Sequence, residues 1–344
     1  MCYSNLKIGF AYDRESRLGQ DDVVHSVEAE YEDSPTIEWI RSTLTKWGTV
    51  IDLPWDADLV PRLAYLDLDL IFNITEAYGS RNRESLVPAI AESLGVACTG
   101  SDAVSLGISL DKYLTKVIAH HEGIPTTRCV LVDSEFTWQK MIPKIEALSF
   151  PLIAKPNTGG SSMGIRQTSK VYSIDHLLKV VKWIWEECAD SALVEEFVPG
   201  TDITAGLLFR DKLLALPAAE VKIEQGTSDD FYSFEMKSAH RKKIICPCEL
   251  EPATAAAVDV YSRTIFTVLG CRDIARVDYR LTPEGEIFFL EINPLPGLSP
   301  YYGIYPAEAM ALGIEPEQIV KQLVSNAVRR KGRVSDAEGA AHVR

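Results

Sequence analysis

The sequence predicts an α/β chain folded as two or three domains, on three observations. Its 344 residues are too many for one small core. Between Leu6 and Cys98 short apolar strands alternate with amphipathic helices, as in a small domain with a parallel sheet. Further on, a hairpin with strands at Ala275 to Leu281 and Glu286 to Ile292 closes around a Pro- and Gly-containing turn.

Leu6 to Tyr12 reads as a strand, followed by a polar, acidic stretch to Asp33 without a period. A helix then starts with Ser34 as N-cap and Pro35 at its first position, with Ile37, Ile40, Leu44 and Trp47 on one face, and Gly48 ends it. Strands follow at Val50 to Leu53 and Leu68 to Ile74, a helix at Leu86 to Leu94 closed by Gly95, and a strand at Val96 to Cys98. A second unit opens with helix Leu110 to His121 and a break at Ile124-Pro125. It continues through strand Arg128 to Val132, helix Thr137 to Leu148, strand Leu152 to Lys155, the loop from Asn157 to Gly164, helix Ser173 to Glu187 and strand Ala192 to Phe197. A third unit has strands Ile203 to Phe209 and Lys212 to Ala218, an irregular stretch from Gln225 to Lys243, helix Pro252 to Leu269, the hairpin, and helices Pro306 to Leu312 and Pro316 to Arg330. The expected domains are 1–108, 109–198 and 199–330, and the polar residues Lys331 to Arg344 are expected to be disordered.

Hydrophobic residues make up 46% and charged residues 24%, ordinary for a globular protein. A formal net charge of -14 repels nucleic acid and anionic membrane, so bound phosphate must be met by a local group of lysines. No apolar run is long enough for a membrane span, and Met1 to Gly9 lacks the features of a signal peptide, so a cytoplasmic location is expected. Seven scattered cysteines favour free thiols over a disulfide framework. Cys246 and Cys248 have no second Cys or His pair at zinc spacing.

The hairpin carries the strongest chemical signal. Asp278 and Glu291 fall on paired strands, where two ionised carboxylates repel each other and lose hydration. A cation between them removes the difficulty. With Asn293 they form a set of hard oxygen donors suited to Mg²⁺ or Mn²⁺ that also bind phosphate. Arg276 points to the face of Asp278 and suits an anionic oxygen. The plainer alternative is a half-exposed hairpin whose acids face water; the four residues together, with Pro294 to Gly297 behind them, favour the metal.

A second signal is PLIAKPNTGGSSMGI. Lys155 ends a strand, Gly159, Gly160 and Gly164 let the backbone approach a ligand, and Ser161 and Ser162 offer donors, together a phosphate-holding loop or else a mobile surface turn. It matches neither the Walker A nor the dinucleotide-binding pattern. In LVEEFVPGTD, Glu195 and Glu196 end a strand beside main-chain groups able to hold an adenine and its ribose, and Lys112 lies near a helix start within reach of a phosphate.

Taken in order, SLDKYLTK, AKPNTGGSSMGI, VEEFVPGTDIT, ARVDYR and FFLEINPLPGLSP resemble the D-alanine-D-alanine ligase branch of the ATP-grasp superfamily, from about Lys7 to Arg330. The resemblance implies an α/β fold of the α+β ATP-grasp type with three domains, and ATP between two antiparallel sheets of the central and C-terminal lobes. It implies that ATP phosphorylates a carboxylate and an amine displaces the phosphate to form an amide. Lys112 and Lys155 match lysines that hold ATP phosphates. Glu195, Glu196, Val198 and Leu290 match the adenine-binding positions, and Asp202 stands where the family has a glutamate for ribose. Arg276, helped by the N–H of Gly297, matches the group that stabilises the tetrahedral intermediate, and Asp278, Glu291 and Asn293 match the ligands of two Mg²⁺. Glu30 and Ser34 resemble a Glu-x-x-x-Ser segment whose glutamate binds the amino group of the first substrate, with Ser161 as its partner. A homodimer is implied by the family alone.

Departures cluster on one side. Lys237 fits a family lysine that reaches ATP, yet Ser238 replaces a tyrosine, and Tyr301 and Tyr302 stand where small polar residues receive the second substrate. FNITEAYGSRNRES also differs from His-Gly-x-x-Gly-Glu-Asp-Gly. The expected function is therefore an ATP-dependent ligase joining an amino-acid donor to an amine acceptor other than D-alanine. The alternatives are a true D-alanine-D-alanine ligase with an unusual pocket and a nucleotide-binding regulatory protein without turnover. The stretch from Gln225 to Lys243 is expected to form a lid over ATP.

Overall fold

The computed structural model describes residues 5–14, 31–78, 80–160, 163–223 and 242–341. Its first unit is a four-stranded parallel sheet of β1 (Leu6–Tyr12), β2 (Gly48–Pro54), β3 (Leu70–Asn73) and β4 (Ala97–Cys98), in the order β2-β1-β3-β4. Helix α1 (Ser34–Leu44) covers one face through Ile37, Ile40 and Leu44, which meet Ile8, Phe10 and Phe72. The N-cap is Asp33 rather than Ser34, because its carboxylate reaches back to the Thr36 N–H at 3.0 Å. On the other face lie α2 (Leu59–Ala64), which sequence reasoning missed, and α3 (Leu86–Ser93), packed on Leu53, Leu68 and Ile71.

The helix expected over Leu110 to His121 is present as α5 (Lys112–His121), and it is preceded by a helix that sequence reasoning missed, α4 (Ala103–Leu110). Asp111 separates them with an extended ψ of 98°, accepts from the Leu114 N–H to cap α5, and is itself held by the Asn157 side-chain amide. Lys112 thereby starts a helix and donates to the Gly159 carbonyl in the glycine-rich loop.

In the central lobe β5 (Cys129–Val132), α6 (Glu135–Glu146), β6 (Leu152–Pro156), β7 (Lys170–Val171), α7 (Ile174–Glu187) and β8 (Ala192–Glu196) form an antiparallel sheet, β5-β8-β6-β7, under two helices. Ile145, Leu177, Val181 and Ile184 seal it against Leu152, Ala154 and Val194. Burying each such side chain stabilises the lobe by about 1.5–3 kcal/mol before entropy is counted.

The C-terminal lobe holds β9 (Thr201–Phe209), β10 (Leu213–Ala215), β11 (Ala219–Ile223), β12 (Lys242–Ile245), α8 (Pro252–Val268), β13 (Ile274–Leu281), β14 (Ile287–Asn293), α9 (Ile304–Met310) and α10 (Pro316–Ala341). Its antiparallel order is β12-β11-β9-β13-β14, with β10 on β9. The strand expected over Lys212 to Ala218 breaks after Ala215, just before Pro217, which has no N–H for a ladder. Helix α10 runs to Ala341, so residues 331–341, expected as part of a disordered tail, continue a helix. Its Ile319, Val320, Leu323 and Val324 pack with Ile8, Phe10 and Phe72, tying the chain's end to the parallel sheet. The expected lid falls mostly in residues 224–241, outside the described residues. The six described cysteines are free thiols, and among the described residues no helix is long and apolar enough to cross a membrane.

Gly200 joins the lobes at φ 150°, where a Cβ would lie 2.0 Å from the Leu281 carbonyl oxygen. Gly200→Ala is expected to cost about 2 kcal/mol, read as a lower urea midpoint; an unchanged midpoint would show that the β9–β13 junction can shift to make room.

Candidate active site

Strands β13 and β14 bring the chemistry together. Asp278 pairs with Glu291 and Arg276 with Asn293, and the register shifts after Asp278 so that Tyr279 pairs with Phe289. Leu290 is thus an extra residue on β14. Strict alternation would turn Leu290 and Glu291 to opposite faces, whereas both border the same cavity.

Arg276 grips Asp278 with two parallel bonds, Nε to Oδ1 at 2.9 Å and Nη2 to Oδ2 at 2.8 Å. The Thr204 hydroxyl, on the neighbouring β9, donates to Asp278 Oδ1 at 2.6 Å. Lys112 Nζ lies 3.0 Å from Glu291 Oε2. Burial alone would raise the Glu291 carboxyl, but Lys112, Lys155 and Arg276 outweigh it and hold it below the usual carboxylate range.

Between the central and C-terminal sheets lies a cavity of about 260 Å³. Lys112, Lys155, Glu195, Glu196, Val198, Asp202, Arg276, Asp278, Leu290 and Glu291 all border it, so the structure gathers ten sequence-predicted residues into one place. A second cavity of about 330 Å³ opens toward the parallel-sheet domain and shares Lys112, Arg276 and Glu291 with the first; Asn293, Gly297 and Tyr302 border it too. Tyr301 borders neither and is 64% exposed, so its assignment to the acceptor pocket is not supported by its position. Glu30, Ser161, Lys237 and Ser238 lie outside the described residues.

Two assignments change in detail. Arg280 takes Asp202 through Nη1 to Oδ1 at 2.7 Å, so the carboxylate expected for ribose is already paired. Glu195 is only 2% exposed, and its side chain goes to Lys155, Lys116 and Thr127 rather than into the cavity's free space. Burial would raise its carboxyl, but the two lysines outweigh it and hold it far below the usual range.

Sequence reasoning also missed Glu32, Lys116 and Glu308. Glu32 Oε1 accepts from the Leu298 N–H at 2.8 Å, and the Tyr302 hydroxyl donates to Oε2 at 3.3 Å, so an acidic side chain from the first domain caps the turn after Gly297. Lys116 stands one helical turn after Lys112, a spacing that marks both as facing the same way. Glu308, on α9, carried no motif. Its carboxyl is 0% exposed and packs against Gly206, where a Cβ would fall 2.5 Å from Oε2, and no well-formed hydrogen bond satisfies either oxygen among the described residues.

Burial pushes the Glu308 carboxyl well above its ordinary value of 4.5, so the folded protein keeps it protonated while the unfolded chain ionises it. Stability from this group is whole below the unfolded value and declines as pH rises above it toward the folded value. Glu308→Gln is therefore expected to match the parent near pH 4 and to exceed its melting temperature increasingly toward pH 8; a difference independent of pH would refute this.

The donor set suits a divalent cation and phosphate. Asp278, Glu291 and Asn293 offer hard oxygens, and Lys112, Lys155 and Arg276 bring three cations to the same cavity wall. At Gly159 a Cβ would sit 3.2 Å from Pro156 and 3.4 Å from Met163, so the loop folds back tightly on the end of β6.

Comparison with known proteins agrees with this geometry. A family model described as "D-ala D-ala ligase C-terminus" matches residues 118–325. A D-alanine–D-alanine ligase from a Synechococcus strain is 30% identical over 256 residues, covering 74% of this chain and 75% of that protein. The solved D-alanine–D-alanine ligase of Bacillus anthracis complexed with ATP superposes with a TM-score of 0.72 at 22% identity, over 95% of this chain and 99% of that one. A D-Ala:D-Ser ligase from Enterococcus faecalis gives a TM-score of 0.72 at 20% identity, over 94% and 100%. Carrying that family's C-terminal signature on a matching fold, the chain belongs to the D-alanine–D-alanine ligase family of the ATP-grasp superfamily and is of the ATP-dependent, C–N bond-forming kind.

Proposed function

We propose that the protein is a D-alanine–D-alanine ligase that uses ATP and Mg²⁺. The observation that carries this reading is the convergence of Lys112, Lys155 and Arg276 with Asp278 and Glu291 on one cavity between two antiparallel sheets. The expectation of an acceptor other than D-alanine draws no support from the relatives, which include several named as D-alanine–D-alanine ligases.

Lys112 and Lys155 would hold the phosphates, and the hydrophobic side chains of Ile153, Val198 and Leu290 would flank the base. A divalent cation held by Asp278, Glu291 and Asn293 would neutralise charge on the transferring phosphoryl group. A carboxylate oxygen of the first amino acid attacks the terminal phosphorus and ADP leaves. The amine of the second amino acid then attacks the acyl carbon, loses a proton, and phosphate departs as the amide forms. Arg276, on the strand beside Asn293, stabilises the negative oxygen of that second step. A protein that only binds nucleotide does not need an arginine there.

A second reading keeps the chemistry and changes the acceptor. It is favoured by Tyr302 and Glu32, which meet at the wall of the second cavity. A site built around particular hydrogen bonds rejects a mismatched substrate by orders of magnitude. The test is ADP release with D-alanine as sole amino acid against a panel of mixed pairs. Turnover with D-alanine equal to the best pair supports the first reading; turnover confined to a mixed pair supports the second. No release with any pair returns the protein to the class of nucleotide binders.

A further inference from the structure

We propose that Lys116 is a positioning residue for the nucleotide's phosphates: by neutralising Glu195, it leaves the charge of Lys155 directed at the cavity. This rests on the reading that the cavity between the two sheets takes ATP. Lys116 itself borders neither cavity and is 1% exposed. Its Nζ lies 2.9 Å from Glu195 Oε2 and donates to the hydroxyls of Thr126 and Thr127 at 3.1 and 3.0 Å and to the Phe289 carbonyl at 3.2 Å. The other carboxylate oxygen of Glu195 is 2.6 Å from Lys155 Nζ.

Charge decides what this arrangement does. Glu195 with Lys155 alone is a closed pair of zero net charge, and a phosphate arriving at Lys155 would compete with a carboxylate already in place. Lys116 makes the cluster net positive, and in a water-poor interior that difference acts strongly on an anion at contact distance. A buried ammonium is costly, and an apolar side chain of similar length would fill the space at lower cost if packing were its only task. Position adds a second role. Glu195 lies on β8 of the central lobe and Phe289 on β14 of the C-terminal lobe, so one ammonium links the sheets on either side of the cavity.

The test is calorimetric titration of the full chain with Mg²⁺ and the non-hydrolysable ATP analogue AMP-PNP, and separately with adenosine, which has no phosphate. Lys116→Met is expected to weaken AMP-PNP binding about tenfold or more while adenosine binding stays within about twofold. Lys116→Arg should retain most of the affinity. Lys116→Met combined with Glu195→Gln should recover most of what the single variant lost, because removing both charges restores the net charge at Lys155. If Lys116→Met fails to fold, the paired variant and Lys116→Arg still decide, since neither leaves a buried carboxylate without its second cation. Equal loss for AMP-PNP and adenosine, or a paired variant no better than the single one, overturns the charge role. A parent protein that does not bind AMP-PNP removes the ATP reading itself and this proposal with it.

Discussion

Glu291→Gln is expected to lower ligase turnover by about two to three orders of magnitude while the fold survives. Glu291 borders both cavities, which on the proposed reading take the nucleotide and the amino acids. The amide keeps the side chain's shape and an oxygen for Lys112, now 3.0 Å from Oε2. What it removes is the negative charge. Of the three oxygen donors assigned to the cation, Asp278 is already shared with Arg276 and Thr204, and Asn293 is neutral and accepts from the Leu295 N–H. Asp278 and Glu291 are the two anionic donors, each paired with one cation of the protein, so the amide removes one of the two negative charges available to a divalent ion. Because the residue sits at a bulge rather than in the packed interior, thermal denaturation should stay within a few degrees of the parent. ADP release near the parental rate, measured with the best amino-acid substrates, would show that Glu291 holds no essential metal.

Counted back from the Leu281–Ile287 pair, Asp278 would face Leu290 without the bulge, so its direct opposition to Glu291 depends on that bulge; the hairpin that puts both acids on paired strands was legible from strand alternation and a short turn. The bulge at Leu290 was not. No local residue type announces it, and its effect is to put two consecutive side chains on one cavity. The parallel sheet followed from the alternation of strands and helices and the two antiparallel sheets only from the family resemblance, while the break at Asp111 depended on Asn157, far along the chain, holding the capping carboxylate. Motif matching found Lys112 and Lys155 and passed over Lys116, whose partners lie on other elements. It also selected Glu30, which lies outside the described residues, and passed over Glu32, which borders the second cavity. Close contacts set by local chain geometry can be read from a sequence; contacts that depend on how separate units dock cannot, because neither partner carries the other's address.

Arg276→Lys is expected to lower turnover by about a hundredfold or more with a much smaller change in the KM for ATP. In the structure the guanidinium spends Nε and Nη2 on the two oxygens of Asp278, and burial, which would lower its basicity, is outweighed by Asp278 and Glu291, so it stays charged at any working pH. Its remaining donors are those that can meet a developing oxyanion. Lysine keeps the charge but has no planar fork, so its ammonium must choose between Asp278 and the reacting group. If it stays with Asp278, the intermediate loses its donor. If it turns to the reacting group, Asp278 loses the partner that fixes it beside the metal position. On the proposed reading Lys112 and Lys155, which border the cavity independently of Arg276, would still meet the phosphates, so either outcome acts on the step after ATP has bound and kcat falls more than affinity. Retention of kcat within about tenfold, or a loss expressed wholly in the KM for ATP, would place Arg276 in nucleotide binding rather than in stabilising the intermediate.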